Sequence, residues 1–268
     1  MDALKRELAN QFEITDLGEP NKLVGIEITW DKENGTLTIS QTKYIEVILE
    51  KYGLENANSV STPLDPNIKL EPQQTHNDTS TINGNYASLT GSLMYAAIGT
   101  RPDIAYAVNK LCSFNNNPDM IHWTAAKRVL RYLKGTKHRG ITYRKGGNCM
   151  HGYADASFAS NEDMSSTNGN VFILNGGAIT WSSKRQRTIA LSTAEAEYTS
   201  MADAAREIIW LRNLYNEIGH SQNEATELFG DNQSAIAIAT NLQYHKRSNT
   251  SKSKIIISGN KYVPRKLD

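Results

Sequence analysis

Three acidic residues, Asp155, Glu197 and Asp231, stand where secondary structure could bring their side chains together. Asp155 lies inside the β-rich run "GYADASFAS", Glu197 lies near the start of a predicted long helix, and Asp231 lies at the carboxyl end of the predicted strand "TELFGD". In a mixed sheet, adjoining strand ends and the start of a helix packed over them can share one site. Carboxylates gathered there would repel one another strongly unless a cation offset their charge. The pattern therefore predicts a cation site.

The type of ligand indicates which cation this site would bind. Oxygen ligands favour Mg²⁺ or Mn²⁺ over zinc, and a pair of such ions is a common device for in-line cleavage of a phosphodiester bond. Each acid also has an ordinary alternative, and Asp231 could simply cap the helix predicted from "NQSAIAIATNL". Asp155 has no turn or helix start of its own to serve, so the three acids together favour the metal site.

A second glutamate, Glu195, lies two residues before Glu197 in "LSTAEAEYTS". Ser192 followed three residues later by Glu195 fits the capping box, in which the two side chains satisfy N–H groups at the start of a helix. This role explains Glu195 without any catalytic function. It leaves Glu197 as the acid available to a metal.

Two local basic clusters could contact the phosphates of a nucleic acid. They are one face of the predicted helix "HWTAAKRVLRYLKGT", with Lys127, Arg128, Arg131 and Lys134, and the run "SSKRQRT", with Lys184, Arg185 and Arg187. The alternative for the helical cluster is an ordinary solvated face. Trp181, next to the second cluster, could stack on a base or sugar or pack in the core.

The composition is that of a globular chain with no strong overall charge. The 268 residues are 39% hydrophobic, and 29 basic residues against 28 acidic residues give a net charge of +1, so any basic surface must be local. Cys112 and Cys149 have no metal-ligand spacing, and no apolar run reaches 18 residues. We therefore expect an intracellular protein without disulfides or a membrane span.

The first part of the chain, residues 1–146, is predicted to be α+β. A starting helix is followed by two strands, "NKLVGIEITW" and "GTLTIS", around an Asn34-Gly35 turn, and by a helix from about Lys43 to Tyr52. The polar stretch Val60–Asn85 is predicted to be an extended connector. Residues Tyr86–Lys134 are predicted to form three helical pieces.

The second part, residues 147–268, is predicted to be an α/β unit with a partly parallel sheet that begins after Gly146-Gly147. We expect a strand over about Met150–Ala159, hairpin strands around Asn175-Gly176, and a third strand through "RTIALS". A long helix over about Thr193–Ile218 should follow, then the strand "TELFGD" and a last helix.

These segments resemble a known family. The runs "GYADASFAS", "STNGNVFILNGGAITWSSKRQRTIALSTAEAEYTS" and "LFGDNQSAIAIA" closely resemble the ribonuclease H domain of copia-type LTR retrotransposon Pol polyproteins. Upstream, "FEITDLGEPNKLVGIEITW" and "YASLTGSLMYAAIGTRPDIAYAVNKLCSFNNNP" look like the end of the reverse-transcriptase palm and the thumb/connection region. The resemblance covers residues 1 to about 248.

The resemblance implies a ribonuclease H-like fold in the second part and hydrolysis of the RNA strand of RNA–DNA hybrids. Asp155, Glu197 and Asp231 match three of the family's four metal-binding acids, with Mg²⁺ or Mn²⁺ as cofactor. The implied partners are an RNA–DNA hybrid and the rest of the Pol polyprotein, with no membrane. The implied locations are cytoplasmic virus-like particles and the nucleus.

The chain departs from the family pattern in two places. The polymerase motif with two consecutive aspartates is absent, so we expect no DNA synthesis by this chain alone. After Ser248 the tail diverges, Lys252 stands where the family has an acid, and the family's last strand and helix, with the fourth acid, are expected to be lost. We hypothesise a frameshift near Ser248, which the nucleotide sequence would test, and we predict low or no activity.

Two other functions compete with an active ribonuclease H. One is a non-catalytic remnant that binds RNA or hybrids through its basic clusters. The other is an integrase-type nuclease of related fold. The order of the acids argues against the integrase, which places its glutamate last, whereas Glu197 here precedes Asp231.

Overall fold

The computed structural model describes residues 2–15, 18–72, 80–146, 149–161, 163–220, 224–240 and 255–257. Its first part combines an antiparallel sheet of order β1-β2-β3-β4 with helices. The strands are β1 (Lys22–Leu23), β2 (Ile26–Asp31), β3 (Thr36–Ser40) and β4 (Ile141–Arg144). The helices are α1 (Asp2–Gln11), α2 (Thr42–Lys51), α3 (Ser80–Gly99), a 3₁₀ turn (Pro102–Ile104), α4 (Ala105–Cys112) and α5 (Met120–Gly135).

The predicted hairpin and the three predicted helical pieces are confirmed. Asp31 pairs with Thr36 across the turn, and Gly35 has a φ of 61°, which glycine adopts without strain. The helices enclose a core of fully buried side chains that includes Ile45, Leu89, Leu93, Leu130 and Leu133.

The predicted connector is shorter than expected, because α3 begins at Ser80 rather than at Tyr86. The segment "STINGN" is weakly helical by composition, but it directly precedes Tyr86, which is fully buried in the helical core. Packing of that helix overrides the local preference of the residues before it. Residues 73–79 lie outside the described part of the chain.

The second part is a five-stranded mixed sheet of order β7-β6-β5-β8-β9 with helices. Its elements are β5 (His151–Ser157), β6 (Thr167–Leu174), β7 (Gly177–Arg185), α6 (Thr193–Glu217), β8 (Thr226–Phe229), α7 (Gln233–Thr240) and β9 (Ile255–Ile257). Strands β5, β6 and β7 are antiparallel, whereas β8 runs parallel to β5 and to β9. Helix α6 packs on the sheet through Met201, Ala204 and Ile208, against Phe172 and Leu228. The predicted α/β class and partly parallel sheet are confirmed.

The prediction of a strand through "RTIALS" is wrong. Strand β7 ends at Arg185, which pairs with Thr167, the first residue of β6. Beyond Arg185 the chain therefore has no neighbouring strand to pair with. In this segment Ala190 is buried, whereas Ile189 and Leu191 are exposed.

The expected loss of the last strand is also wrong. Residues Ile255–Ile257 pair in parallel with Thr226–Leu228 and form β9 at the edge of the sheet. Three successive isoleucines suit a strand, because β-branched side chains pack well on a pleated surface. Ser248, Lys252 and residues 258–268 lie outside the described residues, so the divergence of the tail and the loss of the last helix stay predictions.

Strands before the predicted boundary at Gly146 form one sheet, and strands after it form the other. The two parts of the chain contact each other directly. The indole Nε1 of Trp181 donates a hydrogen bond to the Ala97 carbonyl oxygen at 2.8 Å, and the Tyr143 hydroxyl donates to Ala178 O at 2.7 Å. Trp181 thus packs between the parts, which agrees with the packing alternative for this residue. Within the described residues, no helix combines the length and apolar character needed to cross a membrane.

Candidate functional site

The three acids predicted to converge do so at the point where β5 and β8 separate. The parallel pairing of these strands ends at Tyr153 and Phe229, two residues before Asp155 and Asp231. Helix α6 packs on β5 and places Glu197 over the gap. One carboxylate oxygen from each acid lies within 4.8 Å of the other two. The predicted convergence is confirmed, whereas the catalytic and metal-binding roles stay predictions.

The start of α6 is fixed by the residues predicted to do so. The Glu195 N–H donates to Ser192 Oγ at 3.2 Å. The Glu195 carboxylate in turn accepts from the Leu191 N–H at 2.7 Å, one residue before the position that a standard capping box uses. Glu195 is therefore a helix-start residue, and Glu197 remains the acid directed at the site.

Asp231 does not cap α7. The adjacent Asn232 does so, because its Oδ1 accepts from the Ala235 N–H at 2.9 Å. Before Asp231, Gly230 lies against the end of the Met201 side chain on α6, which would have to shift to make room for a Cβ. The end of β8 thereby brings Asp231 to the same site as Glu197.

The electrostatics of the site centre on Glu197. Its side chain is 4% exposed, and burial, followed by the negative charges of Asp155 and Asp231, raises the pKa of Glu197 to about 7 despite an opposing hydrogen bond from the Ala156 N–H. Its Oε2 is buried and has no hydrogen-bond partner among the residues that the structure describes. A buried carboxylate oxygen without a donor is unfavourable unless a further group satisfies it. An oxygen-only set of three acids fits Mg²⁺ or Mn²⁺.

The predicted helical basic cluster is largely engaged within the chain. Lys134 Nζ donates to Ala57 O at 2.6 Å, and Arg131 Nε donates to Asn58 O at 2.7 Å. Arg128 donates to Thr62 Oγ1 at 3.0 Å. Lys127 lies over the Trp123 ring, 5.2 Å from its centroid. These contacts tie the segment after α2 to α5, and a nucleic-acid role for this face stays a prediction.

The second basic cluster lies at the carboxyl-terminal end of β7 and just beyond it. Lys184, Arg185 and Arg187 are exposed, and Arg185 forms an ion pair with Asp163. A groove of about 680 Å³ runs between β7 and α6, and its lining includes Lys184, Arg187 and Arg206. No local sequence pattern indicates Arg206, because its place in the groove depends on how α6 crosses the sheet.

A second cleft connects the first part of the chain to the acids. It has a volume of about 510 Å³ and is bounded by Pro102 and Tyr106 on one side and by Tyr153 and Asp155 on the other. No local sequence signal predicts this cleft, because residues about 50 positions apart in the sequence line it. The first part of the chain therefore borders the candidate site.

Comparison with known proteins identifies the family. Residues 1–66 match the family model described as reverse transcriptase (RNA-dependent DNA polymerase). The chain is 40% identical over 250 residues to the retrovirus-related Pol polyprotein from transposon TNT 1-94 of Nicotiana tabacum, an alignment that covers 91% of this chain and 19% of that protein. It is 36% identical over 242 residues to the Pol polyprotein from transposon RE1 of Arabidopsis thaliana, covering 90% of this chain and 16% of that protein.

A shorter relative is matched over most of its length. The chain is 35% identical over 211 residues to a protein of transposon Ty5-1 from Saccharomyces cerevisiae, with 77% of this chain and 67% of that protein covered. The chain spans less than a fifth of the two plant polyproteins that it matches. It belongs to the family of Pol polyproteins from copia-type transposons.

Proposed function

We propose that this chain is a retrotransposon-derived ribonuclease H that hydrolyses the RNA strand of RNA–DNA hybrids, with activity reduced by the loss of a fourth acid. The observation that carries the proposal is the convergence of Asp155, Glu197 and Asp231 within 4.8 Å around a buried carboxylate oxygen that has no donor among the described residues. The order of three antiparallel strands, a helix and a parallel strand supports a ribonuclease H-like domain over residues 147–268. Residues 1–146 would be the end of a reverse transcriptase.

The three acids would hold Mg²⁺ or Mn²⁺. A divalent cation bound there would supply Lewis-acid stabilisation of the charge that develops on phosphate oxygens during phosphodiester hydrolysis. Because its pKa is about 7, Glu197 keeps a proton on a large fraction of molecules near neutral pH in the metal-free protein. Glu197 must release that proton to bind a cation. Asp155 and Asp231, both exposed, give the site its access to solvent and substrate.

The exposed basic residues near α6 would bind the substrate backbone. Lys184 and Arg187 flank the groove between β7 and α6, and cations in such a groove attract phosphates of either strand. Discrimination of RNA from DNA would depend on the 2′-hydroxyl of the cleaved strand. The rest of the Pol polyprotein is a proposed partner, since the plant relatives are several times longer.

The test is a cleavage assay with purified protein, Mn²⁺ or Mg²⁺, and a hybrid labelled on its RNA strand. We expect slow cleavage of the RNA strand, no cleavage of a DNA duplex of the same sequence, and no cleavage by Asp155→Asn. Cleavage as fast as that of a ribonuclease H with four acids would refute the reduced activity. No cleavage together with no metal binding would refute the enzyme.

A second candidate is a non-catalytic protein that binds RNA or hybrids. The exposed cluster Lys184, Arg185 and Arg187 favours it, because this surface does not depend on the acids. Hybrid binding that weakens with salt, without cleavage under any metal condition, would support this function. An integrase-type nuclease is disfavoured, since Glu197 lies on the helix between β7 and β8 and not after Asp231.

A further inference from the structure

The helical turn that carries Glu197 is held on one side by Ser200. This serine is fully buried, and its Oγ donates to the main-chain oxygen of Asp155 at 2.7 Å. Gly169 O, on the neighbouring strand, lies 3.4 Å from the same hydroxyl. The hydrogen bond therefore joins the helix of one acid directly to the backbone of another.

Gln186 holds the same turn from the other side. It is 5% exposed, and its Nε2 donates to Ala196 O at 2.9 Å and also to Asn168 Oδ1. Its own backbone N–H donates to Ser166 O at 2.8 Å. Ala196 immediately precedes Glu197, so Gln186 connects this turn to the end of β7 and to the loop before β6.

These two contacts oppose a force that the site itself creates. One carboxylate oxygen from each of Asp155, Glu197 and Asp231 lies within 4.8 Å of the others, and carboxylates this close repel one another across the contact between α6 and the sheet. Apolar packing alone tolerates small shifts, whereas metal ligands must keep their distances within about 0.2 Å. A directional hydrogen bond resists such a shift.

We propose that Ser200 and Gln186 are positioning residues that hold Glu197 at metal-binding distance from Asp155 and Asp231. The Ser200 Oγ and the Gln186 Nε2 donate to the main-chain oxygens of Asp155 and Ala196, so these two atoms hold the backbone around the acids. The proposal rests on the proposed metal site, but it predicts a property of the chain that can be measured without substrate.

The experiment measures the Kd of Mn²⁺ alone by electron paramagnetic resonance at pH 8. The variants are Ser200→Ala and Gln186→Met, each of which removes a donor with little change in volume. The matched control is Thr90→Val, which removes a fully buried hydroxyl bonded to Tyr86 O in the helical core of the first part.

We expect Ser200→Ala and Gln186→Met each to weaken Mn²⁺ binding about tenfold, as loss of a group that orients a ligand does. Thr90→Val should lower the melting temperature about as much as these two variants do, but it should leave the Kd of Mn²⁺ unchanged. If one variant fails to fold, the Kd of Mn²⁺ in the other variant tests the proposal. Wild-type affinity in both variants would overturn the positioning role alone, whereas a wild-type protein that binds no Mn²⁺ would overturn the metal site and the positioning role with it.

Discussion

The carboxylate of Glu197 lies within 4.8 Å of that of Asp155, and the charge of Asp155 is the main electrostatic cause, after burial, of the raised pKa of Glu197. The two residues belong to different elements, since Glu197 is on α6 and Asp155 is on β5. Their proximity makes the metal-free site sensitive to pH, to metal and to substitution of either acid.

The first prediction concerns stability of the metal-free protein against pH. The pKa of Glu197 is about 7 in the fold and near 4.5 in the unfolded chain, so the folded state holds more protons between these values. Stability therefore falls as pH rises through this window, by about 3 kcal/mol at most. Urea unfolding of the wild type and of Glu197→Gln, from pH 4.5 to 8 with a chelator, measures the effect.

Glu197→Gln has no carboxyl to titrate, so it should become more stable than the wild type as pH rises. A difference between the two proteins that stays constant over this range would contradict the prediction.

The second prediction concerns the pH dependence of metal binding. Because Glu197 must lose its proton to coordinate a cation, the Kd of Mn²⁺ should rise about tenfold for each pH unit below 7 and level off above it. Calorimetry in buffers of different ionisation enthalpy would also detect the released proton. A Kd that does not change between pH 6 and 8 would exclude Glu197 as a ligand.

The third prediction separates two neighbouring residues at the end of β8. Asn232→Ala should destabilise the protein by about 1 kcal/mol, because the cap of α7 is lost, and should leave Mn²⁺ affinity intact. Asp231→Asn should have the opposite profile, with weaker metal binding and no loss of stability in the metal-free protein. Thermal melting and Mn²⁺ titration of both variants would test this, and exchanged profiles would show that the assignments are reversed.

The fourth prediction distinguishes the two basic clusters. The double variant Lys184→Ala/Arg187→Ala should weaken hybrid binding and reduce the slope of log K against log salt by about 2. Arg131→Ala/Lys134→Ala should lower stability instead, because these side chains bond to Asn58 and Ala57 carbonyl oxygens. Fluorescence anisotropy over a range of salt would decide. A larger loss of binding in the second variant would place the nucleic acid on α5.

The predictable features were those encoded over short distances. The turn at Asn34-Gly35 and the hairpin at Asn175-Gly176 both form as predicted, with Asn175, Gly35 and Gly176 at positive φ. The long helix α6 has nearly the expected bounds. The convergence of the acids was predictable too, because local patterns place these residues at strand ends and at the start of a helix.

The missed features depend on tertiary pairing. "RTIALS" is predicted to be a strand, but β6 begins at Thr167 and offers it no partner. The edge strand at Ile255–Ile257 forms because β8 is available beside it. The links from Ser200 to Asp155 and from Gln186 to Ala196 depend on how α6 lies on the sheet, and no sequence spacing indicates them.

The central claim is that Asp155, Glu197 and Asp231 share a divalent cation, and Mn²⁺ titration of the wild type and of the three single variants at pH 8 tests it most directly. The variants are Asp155→Asn, Glu197→Gln and Asp231→Asn, all nearly isosteric. We predict at least one bound Mn²⁺ per chain in the wild type and a clear loss of affinity in every variant. Unchanged binding in all three variants, or no binding by the wild type, would contradict the claim.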